Sequence, residues 1–402
     1  MTTVDLSGRR FDLESLQAEP SQYSTWFERA KAETGSGKCL CTPAGLRLVI
    51  RQMNGLYYLA GWPLEGNLHR AFPRCAFYKT PAELTGRSGY GSGAIVDRED
   101  GSADIATEVP LKVRVEEREP RAPRTPSTSG PSKSRSTIGM LGLMHELWEA
   151  ASLNRWAPGW SRSWSRCRWQ LRNVQRKIDG VAIQDCLHVV HPFEEANKAR
   201  IEAEFEAFRA RLGVRGGFRY RGYVMAELKR YTPTKFGYRI DVRHQSAPYF
   251  ASKALIEAVE KSSRAVMAAR ENPEARTVVI MLVNRHDKGY MEVVDMAVML
   301  TTKTYIPCES SHELRMADAL ADAGRAFIKP LRYDGVEDSF PDFQLIDTDP
   351  QTIVEVYGMI GNPAYDRRKA EKQAAYRAKR VPVIEWDTRG PMPYLGKQRS
   401  AA

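Results

Sequence analysis

The stretch Ser339-Phe340-Pro341-Asp342-Phe343, followed by Thr352-Ile353-Val354-Glu355-Val356-Tyr357, decides how the C-terminal part of this chain is read. Each run has the apolar, β-branched and aromatic character of a strand, and Asp347-Thr348-Asp349-Pro350 between them has the composition of a turn. A hairpin is expected. Its strands would project Asp342 and Glu355 side by side, and two neighbouring carboxylates can hold a divalent cation. The bland alternative has Asp342 capping a strand and Glu355 at a sheet edge. Against it, Glu355 stands between Val354 and Val356, where an unpartnered carboxylate is costly.

Upstream, Ser310 to Gly324 has the pattern of a capped helix ended by glycine, with Glu313 in its first turn. Ala326-Phe327-Ile328 reads as a strand. Downstream, a helix is expected over 364–378 and a strand over 381–386. On that last helix Tyr365, Lys369, Lys372 and Tyr376 share one face.

This order of elements, αβββαβ, with Glu in the first helix, Pro-Asp entering a strand and Glu on the next, resembles the PD-(D/E)xK nuclease superfamily over 309–387. The resemblance implies that Asp342 and Glu355 ligate magnesium or manganese and that a lysine positions and polarises the attacking water. Two residues after Glu355, where the pattern has lysine, stands Tyr357. Some members carry the lysine on the following helix, which offers Lys369 and Lys372; Lys372 is preferred. Glu313 would complete or orient the metal shell. Phosphodiester hydrolysis needs the developing charge neutralised, which a carboxylate-held cation beside an ammonium can do.

A second constellation lies near the N-terminus. Cys39-Leu40-Cys41 is followed by His69 and, after Arg70-Ala71-Phe72-Pro73-Arg74, by Cys75. Three thiolates and an imidazole are a usual composition of a closed structural zinc site, although C-x-C is a tighter first pair than most. Zinc would hold together a module too small to be stable alone. Six cysteines in 402 residues are not a dense disulfide framework, so reduced thiols are expected, with Cys167, Cys186 and Cys308 as inert buried groups. Gly35-Ser36-Gly37-Lys38 echoes a phosphate-binding loop but lacks its first glycine (Ala32) and its final hydroxyl residue (Cys39).

The length predicts several domains. The reading is a multidomain α/β (α+β) chain: a β-rich zinc-binding module over 1–112, a flexible basic linker over 113–137, a helical then mixed α/β region over 138–300, and the nuclease-like domain over 301–402. In the first segment Leu13, Leu16, Tyr23, Trp26 and Phe27 suggest an amphipathic lead-in, and 46–50 and 56–59 suggest strands. In the third, helices are expected over 138–151, 163–178, 193–212 and 249–269, with strands over 220–228, 238–242, 277–283 and 290–299. Trp156, Trp160, Trp164 and Trp169 alternate with arginines there; they read as core, with base stacking as the alternative.

Lys and Arg number 60 against 49 Asp and Glu, a net charge of +11 that favours a polyanionic partner, nucleic acid and DNA first. No opening segment reads as a signal peptide and the longest apolar run, Thr277 to Val283, is too short to span a bilayer. A cytoplasmic protein without membrane contact is expected. At full length the chain is also similar to a bacterial family, domain of unknown function 1173, through Cys39-Leu40-Cys41, His69 to Cys75, 141–148, 330–334 and 355–359. The expected function is Mg-dependent hydrolysis of DNA; the alternatives are a non-catalytic DNA-binding or regulatory protein with an inactivated nuclease-like domain, or a protein-interaction scaffold.

Overall fold

The computed structural model describes residues 2–53, 55–62, 65–79, 85–90, 93–98, 102–115, 136–269, 272–331, 340–358 and 363–396. The greater part of the stretch read as a basic linker, 116–135, lies outside the described residues, as do Ser339 and 332–334. The chain divides into two compact units, Met1–Thr85 with Glu99–Gly101, and Gly86–Arg98 with Ser102–Ala402.

In the first unit β1 (Thr3–Leu6), β2 (Arg9–Asp12), β3 (Gly37–Cys39), β4 (Leu46–Met53) and β5 (Leu56–Gly61) form an antiparallel sheet in the order β2-β1-β3-β4-β5. Helices α1 (Leu13–Ala18) and α2 (Ser24–Glu33) bury Leu13, Leu16, Phe27 and Ala30. The N-terminal hairpin is not in the sequence reading. Its signal was short: Val4 and Leu6, both fully buried, alternate with polar residues before the Ser7-Gly8 turn.

In the second unit β6 (Ile95–Asp97), β7 (Ala103–Ile105), β10 (Arg176–Ile178) and β11 (Val181–Ala182) form one sheet, and β8 (Lys112–Arg114), β13 (Gly213–Arg215) and β14 (Phe218–Tyr220) another. Ala103–Ile105 and Lys112, read as part of the zinc module over 1–112, therefore lie in strands that pair far downstream.

The largest sheet contains β12 (Leu187–Val189), β15 (Gly222–Thr234), β16 (Gly237–Val242), β17 (Tyr249–Ala251), β18 (Ala275–Arg285), β19 (Met291–Thr302) and β20 (Pro307–Cys308). β15 pairs with β18 through Glu227 and with β16 from Leu228, with a register shift between Leu228 and Arg230. The pairing continues through β17 and β19 back to β18, so five strands close into a ring. Val279, Met281 and Val283 face one apolar cluster, while Val278, Ile280 and Leu282 face another that includes Leu143, Leu147 and Trp148 of α3 (Met140–Ala150). Burial on both faces explains the unbroken apolar run at 277–283.

Helices α4 (Trp164–Arg172), α5 (Ile183–Cys186), α6 (Lys198–Ala210), α7 (Lys253–Ser262) and α8 (Arg264–Ala269) complete this part. The helix expected over 163–178 ends at Arg172, because Arg176–Ile178 is taken into a sheet beside β7. The helix expected from 249 starts at Lys253: Tyr249–Ala251 pairs as β17, and the Ser252 side chain accepts from the Leu255 N–H as a cap. The tryptophans divide, with Trp156 and Trp164 buried and Trp160 and Trp169 exposed.

At the C-terminus α9 (Ser311–Asp322), β21 (Phe327–Ile328), β22 (Phe343–Leu345), β23 (Thr352–Tyr357), α10 (Pro363–Ala378) and β24 (Val383–Asp387) follow in that order. The sheet runs β24-β23-β22-β21-β9, where β9 is Arg155–Trp156 from far upstream. β21, β22 and β23 are antiparallel and β24 is parallel to β23. Leu314, Ala317 and Leu320 of α9 pack with Phe343, Val354, Val356 and Trp386, which fixes the helix against the strands.

Candidate metal centre and buried carboxylate site

β3 ends at Cys39, and the chain leaving it is tied to β1 by the Leu40 N–H donating to Thr3 O (2.9 Å). An extended chain sends residues i and i+2 the same way, which is how C-x-C offers two thiols to one point. His69 follows a short helical turn at Gly66–Leu68, and Cys75 is brought back by its N–H donating to Arg70 O (2.9 Å). The Sγ atoms of Cys39 and Cys75 are 3.4 Å apart, and His69 Nδ1 lies 3.4 Å from Cys41 Sγ and 3.6 Å from Cys75 Sγ.

Zinc bonds of about 2.3 Å to sulfur and 2.0 Å to nitrogen give tetrahedral edges of about 3.5–3.8 Å, so the four donors fit that ion. A disulfide would need sulfurs about 2 Å apart, and all six cysteines are free. The hydrogen bond between Cys39 and Cys75 pushes the Cys75 thiol down and the Cys39 thiol up, so one member of the pair ionises readily. The Arg70 N–H donates to Cys41 Sγ at 3.4 Å. This cluster could hold a metal such as zinc, and it is the single group of three or more closely convergent His, Cys, Asp or Glu ligand atoms among the described residues.

Asp342 sits one residue before β22, and its Oδ2 accepts the Val356 N–H at 2.7 Å, crossing the hairpin to the neighbour of Glu355. Glu355 is 1% exposed in a strand buried along its whole length. From α10, Lys372 Nζ donates to both Glu355 oxygens (3.1 and 3.0 Å) and to Phe340 O (2.7 Å). Tyr376, one helical turn on, donates its hydroxyl to Glu355 Oε1 at 2.5 Å. Lys369 lies elsewhere, 4.0 Å from the centre of the Tyr357 ring. The Tyr357 hydroxyl donates to Glu385 Oε1 at 2.9 Å.

Glu313 is held in the first turn of α9, where Ser310 caps the helix. Its Oε2 accepts from the Glu309 N–H (3.0 Å) and pairs with Lys329 Nζ (2.9 Å), an ammonium itself 1% exposed. Lys329 is missing from the sequence reading. Its signal was a lone cation, followed by Pro330, closing the apolar run Ala326-Phe327-Ile328.

Burial raises the carboxyl of Asp342, with Lys329 and Lys372 pulling it down and Glu355 pushing it up. Burial likewise raises Glu313 against the pull of Lys329, and the charge on Asp342 adds to the rise. Three buried carboxylates and two lysines thus sense one another, with one negative charge in excess when all are ionised. The Tyr357 hydroxyl is pushed up by burial and its bond to Glu385, and that of Tyr376 by burial and Glu355, so both remain neutral donors. Such a site can take up a cation or hold a proton.

Among the described residues no helix is long and apolar enough to cross a membrane. A family model described as "Protein of unknown function (DUF1173)" matches residues 10–388. No curated protein and no solved structure matches the chain.

Proposed function

This chain belongs to the DUF1173 family, and since that membership carries no activity, we propose from its own geometry that it binds DNA and hydrolyses a phosphodiester with Mg²⁺ or Mn²⁺ at Asp342 and Glu355. The observation that carries this reading is Lys372 Nζ, within 3.1 Å of both Glu355 oxygens although it comes from the helix after the strand. A cation thus reaches Glu355 without a lysine at Tyr357.

A divalent ion needs one or two carboxylates and completes its shell with water and phosphate oxygens. Asp342 and Glu355 fit that role, since the charge on Glu355 raises the carboxyl of Asp342 and a bound cation would relieve the crowding. When bound, the ion would offset the charge developing on the phosphate oxygens. Lys372, whose three N–H groups donate to Glu355 and Phe340, would hold Glu355 in place and lend its positive charge to the site; Lys329 would offset part of the charge of Glu313, whose carboxyl burial pushes up to about 7. The order α9-β21-β22-β23-α10-β24, with β24 parallel to β23, also supports a PD-(D/E)xK-like end. Exposed Trp160 and Trp169, the latter with the Arg166 guanidinium 4.6 Å from its ring, suit a surface on which bases stack. The zinc cluster would have a structural role in the first unit.

Plasmid and single-stranded DNA incubated with the protein and Mg²⁺ or Mn²⁺, beside Glu355→Ala, test the reading. Metal-dependent cleavage that the variant loses supports it. DNA retention without cleavage favours a binding protein, and neither activity leaves a scaffold.

A further inference from the structure

The seam of the closed ring holds a second site. β15 stops pairing with β18 at Glu227, opposite Val278, and begins pairing with β16 at Leu228. Among the described residues, Ala275, Arg276 and Thr277 of β18 are therefore left with ladder partners on the β19 side alone. A cavity of about 210 Å³ opens at this splay, lined by Leu228, Lys229, Arg230, Tyr231, Arg243, Arg276 and Thr277 among others.

We propose that this cavity binds a phosphate group. Four of its lining residues are cationic. Arg230 is held by Asp241 at 3.0 Å, and Arg276 faces Glu227 at 3.6 Å. Among the described residues the side chains of Lys229 and Arg243 have no ion-pair or hydrogen-bond partner, which leaves two cations uncompensated at the opening.

A second, independent feature lies deeper. Thr277 is 6% exposed and its Oγ1 is buried without a hydrogen-bond partner. An unmet buried hydroxyl is costly and is expected where a ligand completes the site. Glu227, which would repel an anion, is outside the cavity lining and faces the Arg276 guanidinium at 3.6 Å. A tetrahedral oxyanion would take a hydrogen bond from Thr277 and charge-assisted bonds from Lys229 and Arg243.

The register shift between Leu228 and Arg230 has a consequence for this site: a bulge re-aims side chains, and here it falls at Lys229. Ala275, on the cavity wall, packs in the same apolar cluster as Phe343 and Val354 of the strands next to Asp342 and Glu355. The proposal does not depend on the carboxylate site being catalytic.

The test is calorimetric titration of the full chain with inorganic phosphate, without added divalent metal, for the wild type, Lys229→Ala/Arg243→Ala and Thr277→Val. Phosphate is expected to bind the wild type, roughly tenfold or more weaker in the double variant and about tenfold weaker in Thr277→Val. Two further arms, a single-stranded oligonucleotide with and without a 5′-phosphate, distinguish a strand's phosphate from the free ion. Tighter binding of either oligonucleotide than of phosphate, lost in the double variant, assigns the site to a strand; equal or weaker binding assigns it to the free ion. Circular dichroism of both variants checks that they fold. A wild type that ignores phosphate at millimolar concentration, or a double variant that binds like the wild type, overturns the proposal.

Discussion

Lys372 meets Glu355 where the carboxylate is 1% exposed, so each charge depends on the other. Removing one member of a buried pair leaves the other uncompensated, at a cost of about 3 kcal/mol. Lys372→Met should lower the urea midpoint accordingly, and adding Glu355→Gln should restore more than half of the loss. A pair that contributes nothing would leave both midpoints unchanged. His188 provides a second residue-level test. It is buried against the Phe205 and Phe208 rings, and burial pushes it down to about 4. With its unfolded value near 6.5, the folded state resists the proton. Stability is therefore fully present above about pH 6.5 and declines as pH falls toward 4, by at most about 3 kcal/mol. The part of that decline due to His188 should vanish in His188→Phe, read from urea midpoints at pH 7 and 4.5.

Among elements, the closed ring depends on the close approach of β16 to β17. A Cβ built at Gly237 would collide with the backbone carbonyl of Ala251. Gly237→Ala should destabilise the second unit by about 2 kcal/mol, seen as a lower midpoint in denaturant. In the first unit the thiol cluster follows directly on β3, so a metal held there is proposed to support the β1-β3-β4 side. One zinc per chain is expected by elemental analysis, and Cys39→Ser or Cys75→Ser should lose it together with the ellipticity of that unit. A metal-free wild type with the same melting curve would remove the structural role. These elements also show where periodicity misleads. Tyr249-Phe250-Ala251 continues the apolar spacing of α7, yet pairs as β17, because two strands with open edges compete for it.

For the whole molecule, the net charge of +11 predicts that the proposed DNA binding weakens steeply as salt rises. Fluorescence anisotropy between 50 and 200 mM salt should show a linear fall of log affinity with log salt; an affinity indifferent to salt would speak against a phosphate-binding surface. Sequence alone identified the thiol and imidazole donors and most of the C-terminal elements. It also placed Asp342, Glu355 and Lys372 in one region, because chemical type, period and turn composition are local properties of a chain. Only the tertiary structure brought Lys329 to Glu313, attached β9 from residue 155 to the C-terminal sheet, paired Ala103–Ile105 and Lys112–Arg114 with strands far downstream and closed the ring whose seam gathers Lys229, Arg243 and Thr277. Those depend on strand pairing between distant segments, and pairing is decided by which edges remain open once the rest of the chain has packed.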